Sequence, residues 1–182
     1  IYDFQNTGTS QVRAVFASSG QLEMFANNIN VNNAAATGTS YSVYLSTSAS
    51  SGSADLRNNI LVNRESNSLA YNLFTTSTGI RLASDHNIFH GTGGGYRLGR
   101  FGVDCVNLAA WRTATGQDNH SLSGDPGYLS ETDLNLSSTN GLSHLNGTPI
   151  SGLSEDIDGQ TRWTPPDIGG DEYTYVAPAR DV

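Results

Sequence analysis

Asn27-Asn28-Ile29-Asn30-Val31-Asn32, Asn58-Asn59-Ile60-Leu61-Val62-Asn63 and His86-Asn87-Ile88-Phe89-His90-Gly91 are three versions of one motif, and their reading decides the fold. Aligned on the Asn-Ile pair, the shared asparagines are Asn28, Asn59 and Asn87. A second apolar element precedes each motif: Ala14-Val15-Phe16, Val43-Tyr44-Leu45 and Tyr71-Asn72-Leu73. Two elements recurring in phase, at a period of roughly 30 residues, mark a repeat architecture. Ile29 and Val31, like Ile60 and Val62, alternate with period two, as strand residues sharing one face do. No unit carries a ten-residue helical stripe or the leucine spacing of a leucine-rich repeat. The pattern predicts a parallel β-solenoid with equivalent residues stacked about 4.8 Å apart. On this reading Asn28, Asn59 and Asn87 form a buried amide ladder at a turn, and Ile29, Ile60 and Ile88 form a core stack.

The repeat stops after Gly91. Thr92-Gly93-Gly94-Gly95 reads as a turn. Asn107 to Gly116 reads as a short helix, with Asn107 as N-cap, Gly116 as C-cap and Leu108, Trp111 and Ala114 facing inward. Asp133-Leu134-Asn135-Leu136 alternates and predicts a further strand. Residues 141–172 are rich in turn residues and acid, and read as an irregular closing segment.

Composition narrows the function. The chain has 182 residues, 9 Arg, no Lys and 17 Asp plus Glu, for a net charge of −8 and a pI near 4.7. Phosphate backbones and anionic membrane surfaces repel such a surface, so nucleic acid is not an expected partner. No apolar run approaches the roughly 20 residues needed for membrane insertion. Ser, Thr, Asn and Gly make up 76 of the 182 residues, which argues against a coiled coil or a helical domain. The lone Cys105 excludes an intrachain disulfide and reads as a buried thiol. The first residue is Ile1, so the expectation is a processed chain or a piece of a larger one.

The ending carries a family resemblance. In order come Trp111, Gln117-Asp118, Asp125-Pro126-Gly127-Tyr128, Asp133 to Leu136, Asp156-Ile157-Asp158-Gly159 with Arg162, and Pro166-Asp167-Ile168-Gly169-Gly170-Asp171-Glu172. With Ser84 to Gly91, this resembles the choice-of-anchor Q domain of bacterial right-handed parallel β-helix proteins. The resemblance spans roughly residues 55–173, with Gly170 where that family usually has Ala. It implies a right-handed β-helix and a bacterial protein that is extracellular or on the cell surface. It also implies further coils upstream and an anchoring or sorting segment downstream. The expected division is β-helix coils over 1–100, a short helix and loop excursion over 101–124, a terminal strand and C-terminal cap over 125–174, and a linker over 175–182. The family name carries no activity.

Three chemistries are open. The same fold houses polysaccharide lyases, which need a base and calcium-binding carboxylates. Here the base would be Arg57, with Asp55 and Asp85 as ligands, since aligning the repeats stacks Ala26, Arg57 and Asp85. The competing reading is an exposed ion pair. In the cap, Asp156-x-Asp158-Gly159 resembles part of a calcium loop that Asp167 and Asp171 would complete; otherwise it is a turn, and Arg162 ties the acidic loop to the solenoid end. Tyr41, Tyr44 and Tyr96 would stack on sugar rings if they face outward. His120 and His144 read as isolated.

The expectation is a non-catalytic adhesion or display protein that binds a polysaccharide or cell-surface glycan, with Ca2+ as the only candidate cofactor. The alternatives are a pectate-lyase-like lyase or glycoside hydrolase, and a fibre subunit that self-associates end to end through unpaired strand edges. The lyase reading requires Arg57 and the outward carboxylates to converge in one groove.

Overall fold

A computed structural model describes residues 1–2, 8–32, 37–46, 52–65, 68–137 and 145–173. The described residues are all-β with one short helix. The first repeat holds β1 (Val12–Ala17), β2 (Gly20–Phe25) and β3 (Asn28–Val31). The second holds β4 (Ser40–Leu45), β5 (Gly52–Arg57) and β6 (Ile60–Asn63), and the third β7 (Ala70–Thr75), β8 (Arg81–Asp85) and β9 (Ile88–Gly91). Then follow β10 (Tyr96–Phe101), β11 (Val103–Cys105), α1 (Leu108–Thr115) and β12 (Leu122–Ser123). Each repeat gives one strand to each of three sheets, ordered β1-β4-β7-β10-β11, β2-β5-β8 and β3-β6-β9-β12. Every strand pairing is parallel except β10 with β11.

The register corrects the expected columns by one residue in the first repeat. Asn28 pairs with Ile60 and Ile88, while Ile29 pairs with Leu61 and Phe89. The ladder is therefore Asn27, Asn59 and Asn87. The Asn27 side chain donates to Asn59 Oδ1 (3.1 Å), and Asn59 donates to Asn87 Oδ1 (3.1 Å). Aligning on the Asn-Ile pair fails because a one-residue slip exchanges the two faces of a strand. Ile29 lies in the main core with Leu61 and Phe89. Ile60 and Ile88 lie on the opposite face, where Leu136, Leu145 and Ile168 of the C-terminal segment cover them. With both faces buried, β6 reads as a continuous apolar run. The preceding element shifts too: Phe16 aligns with Tyr44 and Phe74, and Val15 with Val43 and Leu73.

The helix forms as the sequence predicts. The Asn107 side chain accepts from the Ala110 amide, and Gly116 ends the helix at φ 69°. Trp111 is fully buried, and its indole donates to Asp118 Oδ2 (2.7 Å). Its ring lies so close to β10 that a Cβ on Gly99 would fall 2.6 Å from it. Asp118 and Ser121 then finish the amide ladder: Asn87 donates its side-chain amide to Asp118 Oδ1 (3.1 Å) and its backbone amide to Ser121 Oγ (2.8 Å).

Asp133 to Leu136 is not a strand; only the single bridge Tyr128–Leu136 forms there. The segment folds back on Leu129 and Ser130, whose amides donate to Asn135 O (3.0 Å) and Asp133 O (3.1 Å), and side chains take further groups. Leu134 O accepts from Asn28, and Leu136 N donates to Asp171. The cap is fastened by a buried ion pair, Arg162 to Glu172 at 2.8 Å, while Arg162 also donates to Gly169 O (3.0 Å). Residues 175–182, read as a linker, and His144 lie outside the described residues.

Candidate functional site

The outer face of β2-β5-β8 gathers the polar residues. Leu22, Ala54, Leu56 and Leu82 turn into the core or pack against it. The residues alternating with them stack outward in three columns: Gln21, Ser53, Arg81; Glu23, Asp55, Ala83; and Phe25, Arg57, Asp85. Phe25, rather than Ala26, heads the Arg57 column, for the same one-residue reason. A shallow groove of about 230 Å³ runs across this face, lined by Gln21, Ser53, Asp55 and Arg81 among others.

Arg57 meets one of the expected carboxylates, Asp55, whereas Asp85 turns to a separate cluster, and neither Arg57 nor Asp85 lines the groove. Arg57 grips Asp55 through two bonds of 2.7 Å, and its guanidinium lies 4.9 Å over the Phe25 ring. The hydrogen bond to Asp55 pushes the Arg57 pKa up. The ion pair favours the charged guanidinium, which works against a role for Arg57 as a base. It remains a rigid donor fork beside the groove.

At the edge of the same face, Asp85 meets two histidines. Asp85 Oδ1 accepts from the backbone amides of His86 (3.0 Å) and His120 (2.8 Å). Oδ2 lies 2.7 Å from His120 Nδ1 and 3.6 Å from His86 Nδ1. The imidazoles stack at 4.8 Å, 15° from parallel. Burial pushes the Asp85 carboxyl up, but the hydrogen bonds from His120 and His86 outweigh it and leave it below its ordinary value. Burial lowers the His86 pKa. His120 is not isolated; a loop anchored by Asp118 returns it to Asp85, 35 residues earlier. Sequence spacing conceals this, and only the placement of His86 directly after Asp85 hinted at a cluster.

The expected tyrosines are elsewhere. Tyr41 is 5% exposed, and its ring packs on Tyr71 at 5.6 Å. Tyr44 and Phe74 stack at 5.0 Å, 7° from parallel, beneath Arg13 at 4.1 Å from the Tyr44 ring. None of these rings belongs to either core cluster. They form an aromatic layer whose members cover one another's faces, while sugar stacking needs a free face. Tyr96 packs against the core, accepts from the Asn72 amide (2.9 Å), and has its phenol pKa raised by burial.

The expected calcium residues bind backbone instead. Asp156 accepts from the amides of Asp158 (2.9 Å), Gln160 (2.7 Å) and Glu172 (3.0 Å). Asp167 accepts from Tyr173 N and Asp171 from Leu136 N, while Asp158 is exposed. Burial, with like charge from Glu172 and Asp171, pushes Asp167 up to about 6. Among the described residues, the group of three whose candidate ligand atoms lie within 4.8 Å of one another is Asp85, His86 and His120, not this acidic set.

No protein-family model matches the chain, and no curated protein or solved structure gives a match. Among the described residues, no helix is long and apolar enough to cross a membrane.

Proposed function

We propose that this chain is the capped portion of a right-handed parallel β-helix that binds a glycan without catalysis, on an extracellular bacterial protein of the choice-of-anchor Q kind its sequence resembles. The three-sheet parallel ladder supports the architecture, since parallel crossovers are right-handed in about 98% of cases. The outer face of β2-β5-β8 carries the functional reading. Gln21, Glu23, Asp55, Arg57 and Arg81 are planar polar groups in columns around an open groove. Adjacent sugar hydroxyls pair with such forks, and hydrogen bonds to charged groups contribute about 1.5–3 kcal/mol each. A linear chain laid across the rows meets a new set of side chains about every 4.8 Å, so its successive sugars find different partners on β2, β5 and β8.

Retention on affinity gels containing neutral and uronic polysaccharides tests this. The wild type should be retained by at least one glycan, and Arg81→Ala should weaken retention roughly tenfold or more. Failure of every glycan, or an unchanged Arg81→Ala, would refute it.

A second reading has one observation in its favour. Asp85 holds the 68% exposed His120 side chain at 2.7 Å, the pairing that orients a general base. Release of reducing ends or unsaturated uronates from the same panel would reveal it. Stacking into fibres has less support. Head-to-tail growth needs an open edge at both ends, and antiparallel β11 and α1 occupy one end of the largest sheet.

A further inference from the structure

The Asp85, His86 and His120 cluster does something the glycan reading does not require. It brings a carboxylate oxygen and two imidazole nitrogens within 4.8 Å of one another on a solvent-reached face. Asp85 uses Oδ1 for two backbone amides and leaves Oδ2 toward the two rings. His86 Nδ1 is buried and makes no hydrogen bond among the described residues. With Asp85 Oδ2 at 3.6 Å, beyond hydrogen-bond reach, a buried imidazole nitrogen that makes no hydrogen bond is a costly feature in a folded protein.

The backbone around it is not strained for a local reason. Ala26, Asn58 and His86 occupy the same position in their repeats, at φ 53°, 58° and 52°. In the second repeat that position is spent on the cap, where Asn58 bonds both the Thr148 amide and its carbonyl. In the third it carries an imidazole against an aspartate, with His120 laid over it.

We propose that Asp85, His86 and His120 form a binding site for a borderline divalent metal ion of the Zn2+ class, bound through Asp85 Oδ2, His86 Nδ1 and His120 Nδ1. Two imidazoles and a carboxylate match that class in ligand softness, and three protein ligands leave a position for water. Metal–ligand bonds of about 2.0–2.1 Å at tetrahedral angles put ligand atoms roughly 3.3 Å apart. Asp85 Oδ2 and His86 Nδ1, at 3.6 Å, already sit near that separation. Asp85 Oδ2 and His120 Nδ1, at 2.7 Å, are at hydrogen-bond distance. Opening that edge to the tetrahedral separation lengthens it by about 0.6 Å, and it falls on His120, the ligand side chain with the most exposure. The two amides on Oδ1 act as the outer contacts that orient a ligating carboxylate.

The test is calorimetric titration of Zn2+ into the untagged, EDTA-stripped chain, with Co2+ absorption as a second readout. One ion should bind per chain, with a tetrahedral Co2+ spectrum. His86→Ala and His120→Ala should each weaken binding roughly tenfold or more, while His90→Ala should leave it unchanged. His86→Ala should fold, because Ala26 already occupies the equivalent position, and melting curves check this. Absence of binding at hundreds of micromolar Zn2+, or binding that both variants retain, would overturn the site. No glycan enters this experiment, so its failure leaves the glycan reading standing, and the converse also holds.

Discussion

Replacing Asn59 with Ala removes the middle rung of the amide ladder. Asn59 is 1% exposed, and its side chain takes part in four hydrogen bonds. It donates to Met24 O (2.9 Å) and Asn87 Oδ1 (3.1 Å), and accepts from the Asn27 backbone and side-chain amides (3.1 Å each). At about 1 kcal/mol net per bond, the loss is about 4 kcal/mol. No small apolar side chain recovers it, because the partners stay polar in a dry turn. Asn28→Ala is the control. Asn28 bonds Leu134 O (2.9 Å) and Gly170 N (3.0 Å) in the cap, outside the ladder. Two partly buried bonds predict about 2 kcal/mol for it. Urea unfolding, followed by far-UV circular dichroism and tryptophan fluorescence, measures both variants. At about 2–4 °C per kcal/mol for a chain of this size, Asn59→Ala should melt about 8–16 °C lower. An Asn28→Ala loss equal to or larger than that of Asn59→Ala would refute the register and restore the alignment on Asn-Ile pairs.

Other outcomes follow from the same geometry. Gly99→Ala places a Cβ 2.6 Å from both Leu73 O and the Trp111 ring; it should cost about 1–3 kcal/mol or more and alter the near-UV tryptophan signal. Arg162→Met leaves the Glu172 carboxylate, 1% exposed, without its cation; the expected loss is about 3–5 kcal/mol, with the cap becoming the first site of proteolysis. The pKa of Asp167 rises on folding from 3.8 to about 6. The folded state then holds a proton that the unfolded state has released, so this group's contribution is full below pH 3.8 and is lost as pH rises toward 6. Asp167→Asn should remove that decline and stabilise the chain at neutral pH, as a melting-temperature series from pH 4 to 7 would read.

The sequence made the strands and helix legible where one local signal decided them. The Asn107 and Gly116 caps and the inward Trp111 needed no tertiary information. The register was not legible, because the cap-facing column carries Asn28 in β3 but Ile60 and Ile88 in β6 and β9. Ile29 faces the core, whereas Ile60 and Ile88 face the cap, so identical dipeptides have opposite orientations. Period-two alternation also overstated Asp133 to Leu136, which folds back on Leu129 and Ser130 and is held by Asn28 and Asp171 without joining a sheet. On the candidate site, Arg57, Asp55 and Asp85 were visible as a column and its neighbour. His120 was not, since the helix excursion and the Asp118 loop that return it to Asp85 are tertiary facts.

The cap touches more than one repeat. Leu134, Glu131 and Gly170 hold Asn28 and Asn30 of the first, Thr148 holds Asn58 of the second, and Leu136, Leu145 and Ile168 cover Ile60 and Ile88 of the second and third. It therefore works as a ruler that counts rows. Inserting or deleting one repeat between Val31 and Ile88 would move its anchor points by about one strand spacing, 4.8 Å, and uncouple them together. Rows added on the far side of β1, β2 and β3 would leave every one of these contacts in place. Length variation in such a protein is thus confined to one direction of growth, and the groove and metal cluster keep a fixed distance from the cap whatever the number of rows.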